Sequence, residues 1–483
     1  MKKLIYAILC YVLLTISSSA QTLNPDQLRA DFDRFRTALN EVHPEMYRYT
    51  PKPVFDSLFA ATAAQLNRSM TQQEFYCAMN PLLVALRDGH IKWIVSGRDE
   101  HYPFATEQLF PLKLYFLNDK AWVVANYGTS TIPEGVELIS INGLSIPAIL
   151  QRLLPKMTFA DGNRIGGKYE DLNHFFSGYY ATFIGAPESF DVVYREGNEQ
   201  KTLRLSPTTE SAIKAYTEKH KPATQPPFRL TVTDPQTAVM TIDRFWAGKD
   251  EPDFDTFLKT SFRDIKARNV QNLILDLRNN EGGEEAWGVK LATYLSDQPF
   301  RYYDHISVRQ KKKYSFPAWT PKLYVKLRWL VLKKQGEGYV FTKHRGLKKQ
   351  KPNQNAYRGN LFVLINGSSF SVTTELAARL HADRRKRAGN VTFVGQETGG
   401  GYKVNSSGIF TITQLPNSKI DLGIGMFGFN MANVSGYPYA DRGIIPDHLV
   451  EPTINDVVNQ KDTVLDYTMK LIHSPKAALT RSN

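Results

Sequence analysis

Leu28, Phe32, Phe35 and Leu39 recur at offsets of four, three and four, the spacing of one apolar helix face. Pro44 disfavours helix in the residue before it, so this helix is expected to stop at His43. Thr71 and Glu74 form a capping box, each side chain satisfying an orphan amide, ahead of an inner face of Phe75, Met79, Leu82, Leu83 and Leu86. Asp88-Gly89-His90 closes that helix, and residues 91–95 read as a strand. From residue 103 to 205 the pattern turns to short strands, at 113–116, 121–125 and 135–143, with a hairpin around Gly197-Asn198. One amphipathic helix, 146–154, interrupts them. Residues 207–227, rich in Thr, Lys and Pro, read as a linker. Strand and helix then alternate: strands at 238–242, 273–277, 361–365 and 391–394, helices at 254–265, 286–295 and 371–380. The near-continuous apolar runs at 273–277 and 361–365 are of the buried, parallel kind, and the alternation argues for an α/β core.

Composition adds little to that outline and removes several alternatives. The chain has 483 residues, 42% apolar and 22% charged, which suits two or three packed domains and excludes disordered and disulfide-stapled classes. Lys2 and Lys3 precede an apolar run at 4–16 and small residues at Ser17-Ser18-Ser19-Ala20, as in a secretory signal peptide, so residues 1–20 are expected to be cleaved and the protein exported to the periplasm or beyond. Cleavage would remove Cys10 and leave Cys77 as the remaining thiol. The formal net charge of +13 is local: between Arg309 and Lys351 fourteen Lys and Arg stand against one acid, Glu337. That segment reads either as a patch for an anionic envelope surface or, the reading composition favours, as a solvated, partly mobile insertion. Nucleic acid is not an expected partner of an exported chain, and the sequence does not give the oligomeric state.

Candidate chemistry is sparse. The ten histidines are scattered and form no HExxH pattern, and no phosphate-loop or dinucleotide glycine pattern occurs, so neither a metal nor a nucleotide cofactor is expected. Ser371 opens a helix after a buried strand, where free amides and the positive dipole end favour developing negative charge, or where a serine simply caps. Gly282 and Gly283 follow another buried strand and could turn amides toward an oxyanion, or form a plain turn capped by Asn280. His90 can carry a proton near neutral pH, though a lone histidine is more often structural. Together these supply the nucleophile, base and oxyanion site that acyl transfer needs.

Asp276-Leu277-Arg278-Asn279-Asn280-Glu281-Gly282-Gly283 resembles the D-L-R-x-N-x-G-G signature of the tail-specific, or C-terminal processing, serine peptidases. Residues 366–378 resemble their nucleophile segment, 395–401 their glycine-rich stretch, and 439–447 their G-V/I-x-P-D segment. The resemblance implies an α/β fold with a ClpP/crotonase-like peptidase core over 228–475, carrying the basic insertion at 309–351. It also implies an N-terminal helical domain over 21–102 and a PDZ-like domain over 103–206. The implied activity is that of a serine endopeptidase hydrolysing peptides or unfolded proteins without metal or cofactor. Ser371 is then the nucleophile, and the amides of Gly282, Gly283 and Val372 form the oxyanion hole. The lysine base of one branch would fall on Gly401, with Lys403 displaced from it. The sequence is therefore more similar to the tricorn-core branch, with His90 as base and Asp441 as the carboxylate that orients it. Ser369 is the alternative nucleophile, Glu397 is the rival carboxylate, Asp88 is read as shaping the turn beside His90, and a catalytically inactive peptide-binding protein is the alternative function.

Overall fold

The computed structural model describes residues 22–129 and 131–474; the expected signal sequence lies outside them. Helix α1 (Pro25–Val42) starts at Asn24, which closes a capping box with Gln27, and ends just before His43. Its face of Leu28, Phe32, Phe35 and Leu39 is buried. Helix α2 (Lys52–Gln65) packs against α3 (Gln72–Leu86), whose first turn is closed by the reciprocal Thr71–Glu74 bonds. Helix α3 gives way to Arg87 in the left-handed conformation, φ 50°, and the chain turns through Asp88-Gly89-His90 into strand β1 (Lys92–Val95).

Strands β2 (Leu112–Leu117), β3 (Lys120–Asn126) and β4 (Glu137–Ile141) are followed by helices α4 (Ile146–Leu153) and α5 (Gly166–Phe183), then by strands β5 (Phe190–Glu196) and β6 (Glu199–Leu205). The strands form an antiparallel sheet in the order β2-β3-β4-β5-β6, over a core of its own that includes Leu114, Val123, Ile141, Phe176 and Val192. The expected linker is not uniformly extended: it contains helix α6 (Glu210–Lys219), capped by Thr209. Ile213 is that helix's one buried residue, and a single buried position leaves no apolar period to read.

The remaining chain runs through β7 (Phe228–Asp234), β8 (Thr237–Ile242), α7 (Phe254–Ala267), β9 (Asn272–Asp276), α8 (Glu285–Leu295) and β10 (Tyr303–Val308). It continues through α9 (Lys322–Val331), β11 (Leu332–Gln335), β12 (Gly338–Phe341), β13 (Asn360–Ile365), α10 (Val372–Asp383) and β14 (Val391–Gly395). It ends in β15 (Val404–Gln414), β16 (Ile420–Met431), β17 (His448–Leu449) and α11 (Thr463–His473). One sheet has the order β7-β8-β9-β13-β14-β17 and is parallel except for the β7–β8 hairpin. Asp276 of β9 pairs with Leu364 of β13, so both strands end at one edge and the loops at 277–284 and 366–371 meet there. Carboxyl ends of parallel strands are where such sheets place their ligands.

A second, antiparallel sheet has the order β11-β12-β10-β16-β15. β1 also pairs with β16, Lys92 opposite Gly423 and Val95 opposite Ile420. That pairing threads the strand following His90 into the C-terminal half of the molecule. The basic segment is not the solvated insertion its composition favours. It folds into α9, β11 and β12, with Tyr324, Arg328 and Leu332 buried and β12 paired to β10.

Candidate active site

Ser371 occupies the N-cap position of α10, yet its hydroxyl makes no capping bond. Its backbone sits at φ 53°, ψ −127°, a region costly for any residue with a Cβ and one that accumulates where function requires it. Ser369, the alternative nucleophile, is fully buried; its Oγ donates to the Leu277 carbonyl at 2.8 Å and accepts from the Asn366 amide at 3.1 Å. That hydroxyl ties the two loops together and faces no open space.

The loop after β9 is held from both ends. Arg278 forms a fork on Asp276, with bonds of 2.9 and 2.6 Å, and a second on Asp462 at the start of α11, with bonds of 2.6 and 2.8 Å. Asn280 does not cap α8, whose N-cap residue is Glu284. It is fully buried, donating to the Ile242 carbonyl and accepting the Gly282 N–H, each at 2.8 Å. The Gly282 amide is therefore committed to Asn280 and differs in this from the expected oxyanion donor. What Gly282 supplies is space: at φ 105°, a Cβ there would lie 2.6 Å from Ser371 Cβ, 3.0 Å from the Val372 nitrogen and 3.1 Å from Ser371 Oγ. The amides of Gly283 and Val372 have no protein acceptor among the described residues. Val372 begins α10, so its N–H also stands at the positive end of the helix dipole.

The histidine arrives from the far side of the chain. The ring of His90 stacks on Phe370, centroids 4.5 Å apart, and His90 and Ser371 line one groove of about 870 Å³. Both ring nitrogens of His90 lack a hydrogen-bond partner among the described residues. Asp88 Oδ1 accepts the His90 backbone N–H at 2.9 Å and lies 3.7 Å from His90 Nδ1. Asp88 Oδ2 is 3.0 Å from His43 Nε2; because His43 Nδ1 accepts the Glu45 amide, Nε2 carries the proton and donates. Burial opposes the Asp88 charge, but the hydrogen bond from His43 and the neighbouring His90 hold its carboxyl well below the usual range. Asp161 receives the Gly89 amide at 3.0 Å and the Gly401 amide at 2.9 Å, tying the histidine turn to the glycine-rich loop. Burial, then the nearby Asp88 charge, pushes its carboxyl up.

Asp441 does not join this group. Its carboxylate is bound by the Asn163 side chain, and its carbonyl accepts from Arg164 at 3.3 Å. The acids beside the imidazole are Asp88 and Asp161. Glu397 is occupied by a fork from Arg442 and by the Gly443 amide, and Lys403 is not among the groove's lining residues. Asp88, His90 and Asp161 bring one donor atom each within 4.8 Å of one another, a spacing a cation can use. All four carboxylate oxygens already accept hydrogen bonds, so the arrangement is that of a hydrogen-bonded clamp.

On its other side Ser371 meets Asn405, which itself bonds Glu375. Asn405 Nδ2 is 3.5 Å from Ser371 Oγ and donates to Glu375 Oε1 at 2.6 Å, while Tyr303 donates to Glu375 Oε2 at 2.5 Å. Burial raises the Glu375 carboxyl to about 7 against the opposing hydrogen bonds from Asn405 and Tyr303. Glu375 lies one helical turn after Ser371, a spacing open to inspection, whereas Asn405 sits on β15 with no motif around it.

An unstapled hydroxyl on a strained helix start, unpaired amides beside it and a histidine on the same groove form the constellation of acyl transfer. Residues 236–450 match the model of Peptidase family S41. The chain is a serine-type peptidase, and its residues 236–450 are what is similar to that family. Its substrate is accordingly a peptide or protein. The chain is similar to a structure of mature CPAF complexed with lactacystin, with TM-score 0.63 and 15% identity over 92% of this chain and 97% of that one. It is likewise similar to a structure of mature CPAF, with TM-score 0.59 and 16% identity over 92% of this chain and 96% of that one. At these identities the likeness establishes the fold of the chain, not its residue roles. No curated protein matches the sequence.

Proposed function

We propose that the S41 domain works as an exported serine endopeptidase in which Ser371 attacks the carbonyl and His90 takes its proton. The observation that carries this reading is Ser371 itself, held at φ 53° with a hydroxyl that does not cap and opening on the groove His90 lines. The amides of Gly283 and Val372 receive the oxyanion, and Asp88 sets the imidazole through the turn it shares with His90. When His90 returns the proton to the leaving amine, the acyl-enzyme remains for water to hydrolyse. We read the core as ClpP/crotonase-like and residues 103–206 as a PDZ-like unit that holds peptide ends. Among the described residues no helix is long and apolar enough to cross a membrane.

A fluorophosphonate probe tests the assignment on the purified protein. Wild type is expected to label, Ser371→Ala to stay unlabelled, and His90→Ala to label far more slowly. Wild type that does not label would favour an inactive, peptide-binding scaffold, and full labelling without the imidazole would return the base to another group, Lys403 included.

A further inference from the structure

The stretch that holds the chain's excess positive charge also exposes a set of large apolar side chains. Leu323, Leu327 and Leu330 follow one another at i, i+4 and i+7 on α9, one side of the helix, and are 69%, 44% and 71% exposed. Trp319 and Trp329 are each 61% exposed. The helix is seated on the fold by Tyr324 and Arg328, the reverse of an ordinary surface helix, whose apolar face turns inward. Lys312, Lys313, Lys322, Lys326, Lys333 and Lys334 are exposed around it. Lys311 Nζ bonds the carbonyls of Trp329 and Leu332 at 3.2 and 3.3 Å and lies 4.6 Å from the centre of the Trp329 ring. Exposed apolar side chains ringed by one sign of charge mark an interaction face, not a surface settled in water.

We propose that this face docks on an anionic phospholipid bilayer. In that arrangement α9 lies along the interface, with Trp319, Trp329 and Leu330 in the acyl boundary and the lysines among the headgroups. Charge complementarity selects this occupant. A second copy of the chain would bring the same positive excess against itself. A soluble polyanion would satisfy the lysines and leave the tryptophans and leucines in water. Leu323 and Leu327 also line the groove that holds Ser371, so docking sets the groove mouth beside the membrane.

Cosedimentation of the full chain with vesicles tests this, using equal parts phosphatidylglycerol and phosphatidylcholine against phosphatidylcholine alone. Binding to the anionic vesicles is expected to be at least about tenfold tighter and to weaken as salt rises. The triple variant Trp319→Gln/Trp329→Gln/Leu330→Gln, none of whose positions lines the groove, is expected to lose about tenfold in vesicle binding while keeping probe labelling at Ser371. Lys312→Glu/Lys313→Glu/Lys333→Glu/Lys334→Glu is expected to lose the preference for anionic vesicles. Equal binding to both vesicle types overturns the proposal. So does undiminished binding by the apolar variant, which would reduce the face to a site for any polyanion.

Discussion

The imidazole of His90 lies stacked on the phenyl ring of Phe370, the residue immediately before Ser371. Gly89 permits the approach: a Cβ there would come within 2.6 Å of Phe370 Cζ. On the mechanism proposed above, Phe370 is a positioning residue, fixing the ring plane of a histidine whose nitrogens have no hydrogen-bond partner among the described residues. Phe370→Leu should lower kcat by about 10- to 100-fold with little change in KM, the penalty of a base displaced by about an ångström. The double variant Phe370→Leu/His90→Ala should be no slower than His90→Ala alone, because Phe370 acts through the ring that is gone. Steady-state peptide hydrolysis by the four proteins decides this, and fully additive losses would show that Phe370 acts by another route.

Gly282 separates space from donation in the proposed oxyanion loop. Its amide is bonded to Asn280, but its missing Cβ leaves room beside Ser371 and the Val372 nitrogen. Gly282→Ala should therefore cost at least about 100-fold in kcat by filling the oxyanion position, with about 1–3 kcal/mol of destabilisation from the positive φ. Gly143→Ala is the control: its φ is +75° but nothing lies within 4 Å of the added Cβ, so it should lose stability and keep activity. Kinetics and urea midpoints on both variants make the comparison.

How far the sequence reaches depends on whether the determining contact is local. The α1 face, the Thr71–Glu74 box and the two buried strands that became β9 and β13 are set by neighbours in sequence, and each stands within a few residues of its expected place. The long hairpin of β15 and β16 went unread, although it carries Asn405 and receives the strand after His90. Its sequence is rich in glycine, serine and threonine, with buried residues in near-continuous runs, so period-two alternation is blurred. Asp161 was invisible for a related reason: its partners, Gly89 and Gly401, are joined to it only by the folded chain. Asp441 was drawn from its place in a motif, but its partner, Asn163, is set by tertiary structure.

Ser371 stores strain that a glycine would not. With φ 53° and ψ −127°, the Cβ costs about 1–3 kcal/mol, whereas glycine reaches that region freely. Ser371→Gly should thus be more stable than Ser371→Ala by about 1 kcal/mol, after the loss of glycine's extra freedom on folding is subtracted. Both variants should be inactive. Urea denaturation with matched m-values measures the difference; an alanine variant as stable as the glycine one would mean that the helix start relaxes and holds no strain.

Glu375 makes the surroundings of Ser371 sensitive to pH in a direction opposite to that of ordinary paired carboxylates. An unfolded glutamate titrates near 4.5, and burial raises this one to about 7 in the native chain. Between those values the native state holds a proton the unfolded state has released, so stability falls as pH rises, by about 3 kcal/mol in total from this group. Asp88 works in the other sense at lower pH: its carboxyl is held down, so its contribution is present above the unfolded aspartate range and is lost on acidification. The two windows do not overlap. Glu375→Gln keeps an acceptor for Asn405 and a donor for the Tyr303 oxygen without a titrating proton. The wild-type urea midpoint should decline between about pH 5 and pH 7.5, and the Glu375→Gln midpoint should decline distinctly less. Parallel curves for the two proteins across that interval would show that Glu375 ionises in the folded chain as freely as it does in water.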